Sequence, residues 1–467
     1  MHIHIIAICG TGMASLAGML KKAGHDITGS DQNAYPPMST IIENLGIKLT
    51  HGFRPENLEP GPDLIIVGNA VSKDNPEVKT MLEKAIPYCS FPAALAKFFL
   101  FDKHSIVVAG THGKTTTSSL LSWLLESAGY DPGFLIGGIP NNFSENYKIG
   151  GKKYFVIEGD EYDTAFFDKN PKFLHYKPEI AILTNIEFDH ADIYKDIGEI
   201  KQAFKKFIDL IPSNGHLITC IDNPHVRELC GDAKCTVHTY GLHRESQWRL
   251  DEITSDGRCS SFTIISESNL PEPVTIKTKL TGEHNMLNAL STFVTAHSVG
   301  IKTDIIAESI LRFKGVKRRQ EIFAEVHGIT MIDDFAHHPT SVRETLAGLK
   351  SWYKERRLWA IFEPRTATSK RKIFQKEYGS AFKSADKVII ADVYQKDKID
   401  PSMRLSPEQL VSEINKNGQD ALYIENTDAI VAYCAQNLKR DDVVVIMSPG
   451  GFDNIYQKLP KALEKND

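Results

Sequence analysis

Cysteine is scarce in this chain: Cys9, Cys89, Cys220, Cys230, Cys235, Cys259 and Cys434 are seven of 467 residues, with no CxxC pair. An odd, scattered set excludes a disulfide framework and a zinc knuckle, and it fits a reducing cytoplasm. Long apolar runs are missing too. None approaches the ~18 residues of a membrane span, so no membrane partner is expected. The apolar stretch at residues 5–20 has no basic segment before it, and Gly10, Gly12 and Gly18 interrupt it, so it does not read as a signal peptide. Charge of one sign is not in excess. The net charge is −5, which gives no broad basic face for nucleic acid. Solenoid repeats and low-complexity tracts are absent. What is present is an ordinary soluble composition, 42% hydrophobic and 24% charged, at a length that predicts about three domains.

Hydrophobic patterning divides the chain into three α/β blocks. Residues 1–103 begin with an apolar strand at 2–9, a Gly10-Thr11-Gly12 turn and a helical pattern at 13–23. Strands at 27–30 and 64–67 complete a dinucleotide-type unit. Residues 104–315 place strands at 106–109, 154–157 and 180–183, with helices near 115–128 and 199–210. Alternation at 248–280 predicts an antiparallel insertion, and 282–299 one helix. Residues 316–467 alternate strands at 329–332, 358–362, 387–391 and 443–447 with helices near 340–351, 370–384 and 406–415. The expected architecture is α/β, with ligands in clefts between blocks.

The segment AGTHGKTTT, residues 109–117, carries the sharpest chemistry. Gly110 and Gly113 let main-chain N–H groups approach phosphate oxygens. Thr111 and His112 complete the loop between them. Lys114 suits the β- and γ-phosphates, and the hydroxyl of Thr115 or Thr116 suits Mg²⁺. Val108 stands where the commoner phosphate loop has its first glycine, so this loop is short. VIEGDEYD, residues 156–163, ends a strand in Glu158, Asp160, Glu161 and Asp163, as Mg²⁺ ligation requires. TNIEFDHAD, residues 184–192, ends another in Asn185, Glu187, Asp189, His190 and Asp192. His284, Asn285 and Asn288 open a helix with groups suited to an adenine edge, although capping would also explain Asn285. Arg318 or Arg319 can stabilise a transferring phosphoryl group. Asp333 or Asp334 suits ribose hydroxyls, and His337 and His338 follow. Gly10-x-Gly12-x-x-Ser15 with Asp31 is an imperfect dinucleotide fingerprint, which supports a pyrophosphate ligand rather than NAD.

Taken in order, AGTHGKTTT, EGDEYD, TNIEFDHAD, GEHNMLNA and DDFAHHPT resemble the Mur ligase family over essentially the whole chain. The resemblance implies a Rossmann-like UDP-sugar domain, a P-loop ATPase-like central domain and a Rossmann-like C-terminal domain. It implies an ATP-dependent, Mg²⁺-requiring amide ligase of the cytoplasm, a monomer or weak dimer. DEYDTAFFDK, EFDHADIY, GVKRRQE, FEPRTATSK and MSPGGFDNIYQKL are most similar to the member that joins UDP-N-acetylmuramate to the tripeptide L-Ala-γ-D-Glu-meso-diaminopimelate. The member that adds L-alanine is the alternative. By the family's motifs, Gly110, Thr111, His112, Gly113, Lys114, Thr115, Thr116, His284, Asn285, Asn288, Arg319 and Asp334 take ATP. Thr115, Glu158 and His190 take Mg²⁺. Gly10, Gly12, Ser30 and Asp31 line the UDP-sugar site. Lys114, Glu158, His190 and Arg319 serve catalysis. Arg365 is the candidate for a peptide carboxylate, which a guanidinium pairs bidentately, and His337 or His338 for the base that deprotonates the amine. Several sister ligases carry a carbamylated lysine about 14–15 residues after the metal histidine. Here Phe204 and Lys205 straddle that place, and carbamylation is not assigned to Lys205.

Overall fold

Three large β-sheets, one per block, organise the computed structural model, which describes residues 1–34 and 38–465; a two-stranded ribbon, Asp163–Ala165 with Asp168–Pro171, is added in the central block. In the first block all strands pair in parallel, in the spatial order Lys48–His51, Asp26–Asp31, His2–Ile6, Leu64–Val67, Tyr88–Ser90. The opening strand is shorter than the pattern at 2–9 suggests. It stops at Ile6 because Ala7 takes a φ of 64°, a conformation that turns the chain out of the sheet.

The central sheet has ten strands. Its middle is built from β-branched runs buried on both faces, the signature of parallel strands covered by helices. His104–Ala109 lies between Ile180–Leu183 and Tyr154–Gly159, parallel to both. Both acidic strand ends therefore flank the glycine loop, at the carboxyl edge where parallel sheets bind ligands. The expected insertion is antiparallel through Trp248–Ser255, Ser260–Ile265 and Val274–Thr278. Its first strand also pairs in parallel with Thr236–Gly241, so it extends the main sheet. Helix Lys114–Ser127 and helix Glu283–Ser298 share one core through Leu120, Leu124, Met286 and Phe293.

The third sheet runs Glu321–Val326, Ile329–Asp334, Val443–Met447, Leu358–Phe362, Lys387–Ile390, Asp420–Tyr423, antiparallel only at its first edge. The helix expected at 370–384 forms only as a 3₁₀ turn Lys372–Phe374 and a short helix Gln375–Ala381. Ser369 Oγ accepts from the Arg365 and Thr366 amides at 3.0 and 2.9 Å, a local turn that competes with helix at its start.

Packing sets the blocks against one another. Ser15 Oγ donates to Asn146 Oδ1 at 3.0 Å between the first and second. Between the second and third, Thr340 Oγ1 donates to Glu187 Oε2 at 2.6 Å. Helix Pro339–Trp352 seats so closely on the start of helix Glu283–Ser298 that a Cβ on Gly348 would lie 2.8 Å from the Gly282 Cα. No helix among the described residues is long and apolar enough to cross a membrane.

Candidate active site

The glycine loop is fixed by the neighbouring strand end. Thr111 N donates to Asn185 O and His112 N to Asn185 Oδ1, at 2.9 and 2.8 Å. Thr184 Oγ1 donates to His112 O at 2.6 Å. Gly110 and Gly113 have φ of 128° and 87°. A Cβ on Gly110 would sit 2.2 Å from Thr184 Oγ1, and one on Gly113 2.5 Å from Asn288 Oδ1, so both positions require glycine. The first turn of helix Lys114–Ser127 has unpaired amides and a positive dipole end, which favour an anion.

Above this turn lies a cavity of about 450 Å³ between the central and third domains. Thr111, His112, Gly113, Lys114, Thr115 and Thr116 line its floor, and Glu158 and His190 one wall. His284, Asn285 and Asn288 form a second wall, with Arg319, Asp334 and His337 contributed by the third domain. Gly110 lies beneath the loop, outside the cavity lining.

Charge is distributed unevenly here. Lys114 Nζ is buried, 2.6 Å from Gly110 O and 3.0 Å from Glu161 Oε2. Burial works against its charge, but Glu161 and Asp160 outweigh burial and hold its pKa above the ordinary value. Glu161 is also buried. Lys114 and His190 overcome its desolvation and keep its carboxyl below the usual range. Asp160 has Lys172 at 3.3 Å. Glu158 is left with neutral partners, Thr115 Oγ1 at 3.2 Å and the Gly137 amide at 2.7 Å. Its burial and the nearby Asp160 raise its pKa despite Gly137, Lys114 and Arg319. A half-buried carboxylate with neutral hydrogen-bond partners, beside a threonine hydroxyl and facing a phosphate-type loop, fits a hard divalent cation.

His190, with φ of 54°, places Nε2 3.3 Å from Glu161 Oε1. Burial opposes its protonation, but Glu161 and Asp189 win and raise its pKa. In this arrangement it pairs with Glu161. A role as metal ligand needs the neutral ring.

The structure resolves two pairs that the sequence leaves open. Arg318 turns into the third domain, bonding Asp333 Oδ2 at 2.9 Å and Ser448 O at 2.7 Å. Arg319 faces the cavity, with Nη2 3.4 Å from Thr115 Oγ1 and its guanidinium stacked over Phe335 at 4.8 Å. Asp334 faces the cavity where Asp333 does not. It already accepts from the Gln320 and Ala336 amides, both at 2.8 Å. His337 Nδ1 lies 3.1 Å from Phe335 O and its Nε2 lies 3.8 Å from Asp189 Oδ2. Burial raises the Asp189 carboxyl, but His337, His190 and His338 outweigh it and hold it far below the usual range.

The remaining expected residues sit elsewhere. Gly10 precedes helix Thr11–Lys22 at the first domain's strand edge, and Gly12 packs near Phe91. Asp31 Oδ2 accepts from the Cys9 amide at 2.9 Å. Ser30 is fully buried and donates to Glu77 Oε2 at 2.6 Å, so its side chain braces the strand end rather than facing a ligand. Arg365 stacks on Tyr394 at 3.6 Å and reaches both oxygens of Glu363, at 3.2 and 3.3 Å, away from the cavity lining. Lys205 pairs with exposed Asp232 and does not line the cavity, while Phe204 is buried.

Glu161 was not singled out from its acidic run, yet it pairs both Lys114 and His190. Its spacing three residues after Glu158 was the available signal. Gln320 also lacks a sequence signal. With φ of 51°, it accepts from Thr281 Oγ1 at 3.0 Å and Asn285 Nδ2 at 3.3 Å, joining third domain to base wall.

Comparison with known proteins agrees with this geometry. Residues 2–102 match the description "Mur ligase family, catalytic domain", residues 108–296 "Mur ligase middle domain" and residues 318–450 "Mur ligase, glutamate ligase domain". The chain is 39% identical over 466 residues to the UDP-N-acetylmuramate–L-alanyl-γ-D-glutamyl-meso-2,6-diaminoheptandioate ligase of Escherichia coli (strain K12), covering 100% of this chain and 99% of that one. It is 36% identical to the UDP-N-acetylmuramate–L-alanine ligase of Caldanaerobacter subterraneus subsp. tengcongensis, covering 99% and 97%. A crystal structure of a murein peptide ligase from Psychrobacter arcticus 273-4 superposes with a TM-score of 0.73 at 36% identity, covering 100% and 99%.

Proposed function

The chain belongs to the Mur ligase family, and from that premise we propose that it joins UDP-N-acetylmuramate to L-Ala-γ-D-Glu-meso-diaminopimelate with ATP, releasing ADP and phosphate. The carrying observation is end-to-end likeness to ligases named for that tripeptide, on a chain whose glycine loop lies between two acidic strand ends. Residues 1–103 form the sugar-nucleotide domain, 104–315 the ATP domain and 316–467 the domain that receives the peptide. The setting is peptidoglycan recycling in the cytoplasm, with the chain a monomer or weak dimer.

Amide formation from a carboxylate needs a leaving group. The lactyl carboxylate of UDP-N-acetylmuramate attacks the γ-phosphorus of ATP, giving an acyl phosphate and ADP. The peptide's terminal amine then adds to the acyl carbon, and phosphate leaves. Lys114, the first helical amides and Arg319 offset the phosphoryl charge. Thr115 and Glu158 would hold Mg²⁺, which when bound neutralises phosphate charge. His190 would serve a second ion only as neutral imidazole. His284, Asn285 and Asn288 receive adenine, and Asp334 keeps lone pairs for the ribose. His337 Nε2 takes the amine proton, and Asp189 stabilises the resulting imidazolium. Arg365 offers its guanidinium to a peptide carboxylate, and Gly10, Gly12 and Asp31 border the sugar nucleotide.

The test supplies UDP-N-acetylmuramate, Mg²⁺ and ATP with either tripeptide or free L-alanine. Phosphate release with tripeptide is expected. Release with alanine and none with tripeptide would move the assignment to the alanine-adding ligase.

A further inference from the structure

We propose that His112, Glu187 and His338 form a site for a transition-metal ion of the Zn²⁺ class, strapped across the central and third domains. The three ligand atoms converge within 4.8 Å of one another. His112 Nε2 lies 3.4 Å and His338 Nδ1 3.5 Å from Glu187 Oε2. Ligands bound about 2.0–2.1 Å from a tetrahedral ion stand about 3.4 Å apart, so two edges of the polyhedron are preformed.

The outer partners orient these atoms. His112 Nδ1 is 3.2 Å from Ser341 Oγ, and its buried Nε2 has no hydrogen-bond partner. His338 Nε2 lies 3.2 Å from Phe188 O, which places the proton there and leaves the Nδ1 lone pair on the cluster side. That lone pair accepts only a long 3.3 Å bond from the Thr340 amide, which an ion would displace. Glu187 is held by the Thr340 hydroxyl. Imidazoles oriented by carbonyl or hydroxyl partners are the usual second shell of such sites.

Two imidazoles and one carboxylate select Zn²⁺ or Co²⁺ over Mg²⁺, which prefers oxygen. The cluster stands in the wall between the ATP-type cavity and a second cleft of about 490 Å³. The proposed reaction gives Glu187 and the His338 ring no task. Because His112 belongs to the glycine loop and His338 to the third domain, a bound ion links the phosphate floor to the peptide domain.

The full chain, stripped of metal, is titrated with ZnCl₂ by calorimetry and with Co²⁺ by visible absorption. One ion per chain is expected, with the intense bands of four-coordinate Co²⁺ persisting in excess Mg²⁺. His338→Gln and Glu187→Gln are each expected to weaken binding at least about tenfold. Circular dichroism confirms that each variant is folded. Absence of saturable binding, displacement by Mg²⁺, or undiminished binding in both folded variants would overturn the site.

Discussion

In the first domain, strand His2–Ile6 passes through Gly10 into helix Thr11–Lys22; in the central domain, strand His104–Ala109 passes through Gly110 into helix Lys114–Ser127. Both joints turn a parallel strand into a helix at a glycine, but Gly10 is extended at a φ of −66° where Gly110 and Gly113 take positive φ, and the charge around the two differs. Near the first, Glu77 is buried but fully partnered: His4 Nε2 lies at 3.5 Å, Ser30 Oγ donates at 2.6 Å, and Asn57 also bonds it. Burial raises the Glu77 carboxyl, yet these bonds prevail and its pKa falls below the ordinary value. Near the second, Glu161 and Asp160 are ion-paired, whereas Glu158's hydrogen-bond partners among the described residues are neutral. A satisfied buried carboxylate is scaffold, whereas one short of a cation is prepared to receive it.

The sharpest break of this contrast is Lys114→Ala. It removes the one lysine that lines the cavity among the described residues, and phosphate release with tripeptide is expected to fall by about 10³-fold or more. Retention of a tenth of the activity would place the neutralising charge elsewhere. Next is Glu158→Gln, which keeps shape and removes charge. A loss of about 10²–10³-fold is expected, with the Mg²⁺ titration of turnover shifted to higher concentration. An unshifted Mg²⁺ curve would remove Glu158 from the cation site.

Glu77→Gln tests the scaffold side. It is expected to cost about 1.5–3 kcal/mol in urea unfolding while leaving kcat near the parent value. The pH sign follows from the lowered pKa. Glu77 stabilises the fold above its unfolded pKa of about 4.3, and that share is lost as pH falls through the folded value. The gap between parent and variant therefore closes in acid. A kcat loss matching that of Glu158→Gln would erase the distinction between the two joints.

The central joint was legible because its chemistry is local: Gly110, Gly113, Lys114 and Thr115 fall within six residues of one strand–loop–helix turn. The acidic ends at Glu158 and His190 were legible as motifs, and only sheet order shows that they flank that loop. The direction of the Ser30 side chain, which turns to Glu77, follows from strand alternation and is not encoded in the motif's position. Strand Glu321–Val326 is absent from the sequence reading because it is short and its burial does not alternate, and helix Thr427–Asn437 because its apolar residues spread around the helix instead of along one face. The choices of Arg319 over Arg318 and Asp334 over Asp333 depend on side-chain direction at a positive-φ turn and a strand end, which composition does not encode.

The smallest effect concerns the base wall. His284 is partly buried beside Asn285, and its Nδ1 has no hydrogen-bond partner. Burial, and then repulsion from His112, pushes its pKa down to about 4. An unfolded chain binds this proton near the ordinary value of about 6.5, so the unfolded state is favoured as pH drops from about 6.5 towards 4. The ring's partial exposure discounts the effect to the order of 1 kcal/mol. His284→Asn is expected to flatten Tm against pH across that window by a degree or two, about the shift that such an energy gives in a chain of several domains. Parallel Tm curves for parent and variant would mean that the ring is as well solvated as an exposed histidine. The wall would then lack the dry, neutral surface on which adenine is proposed to rest.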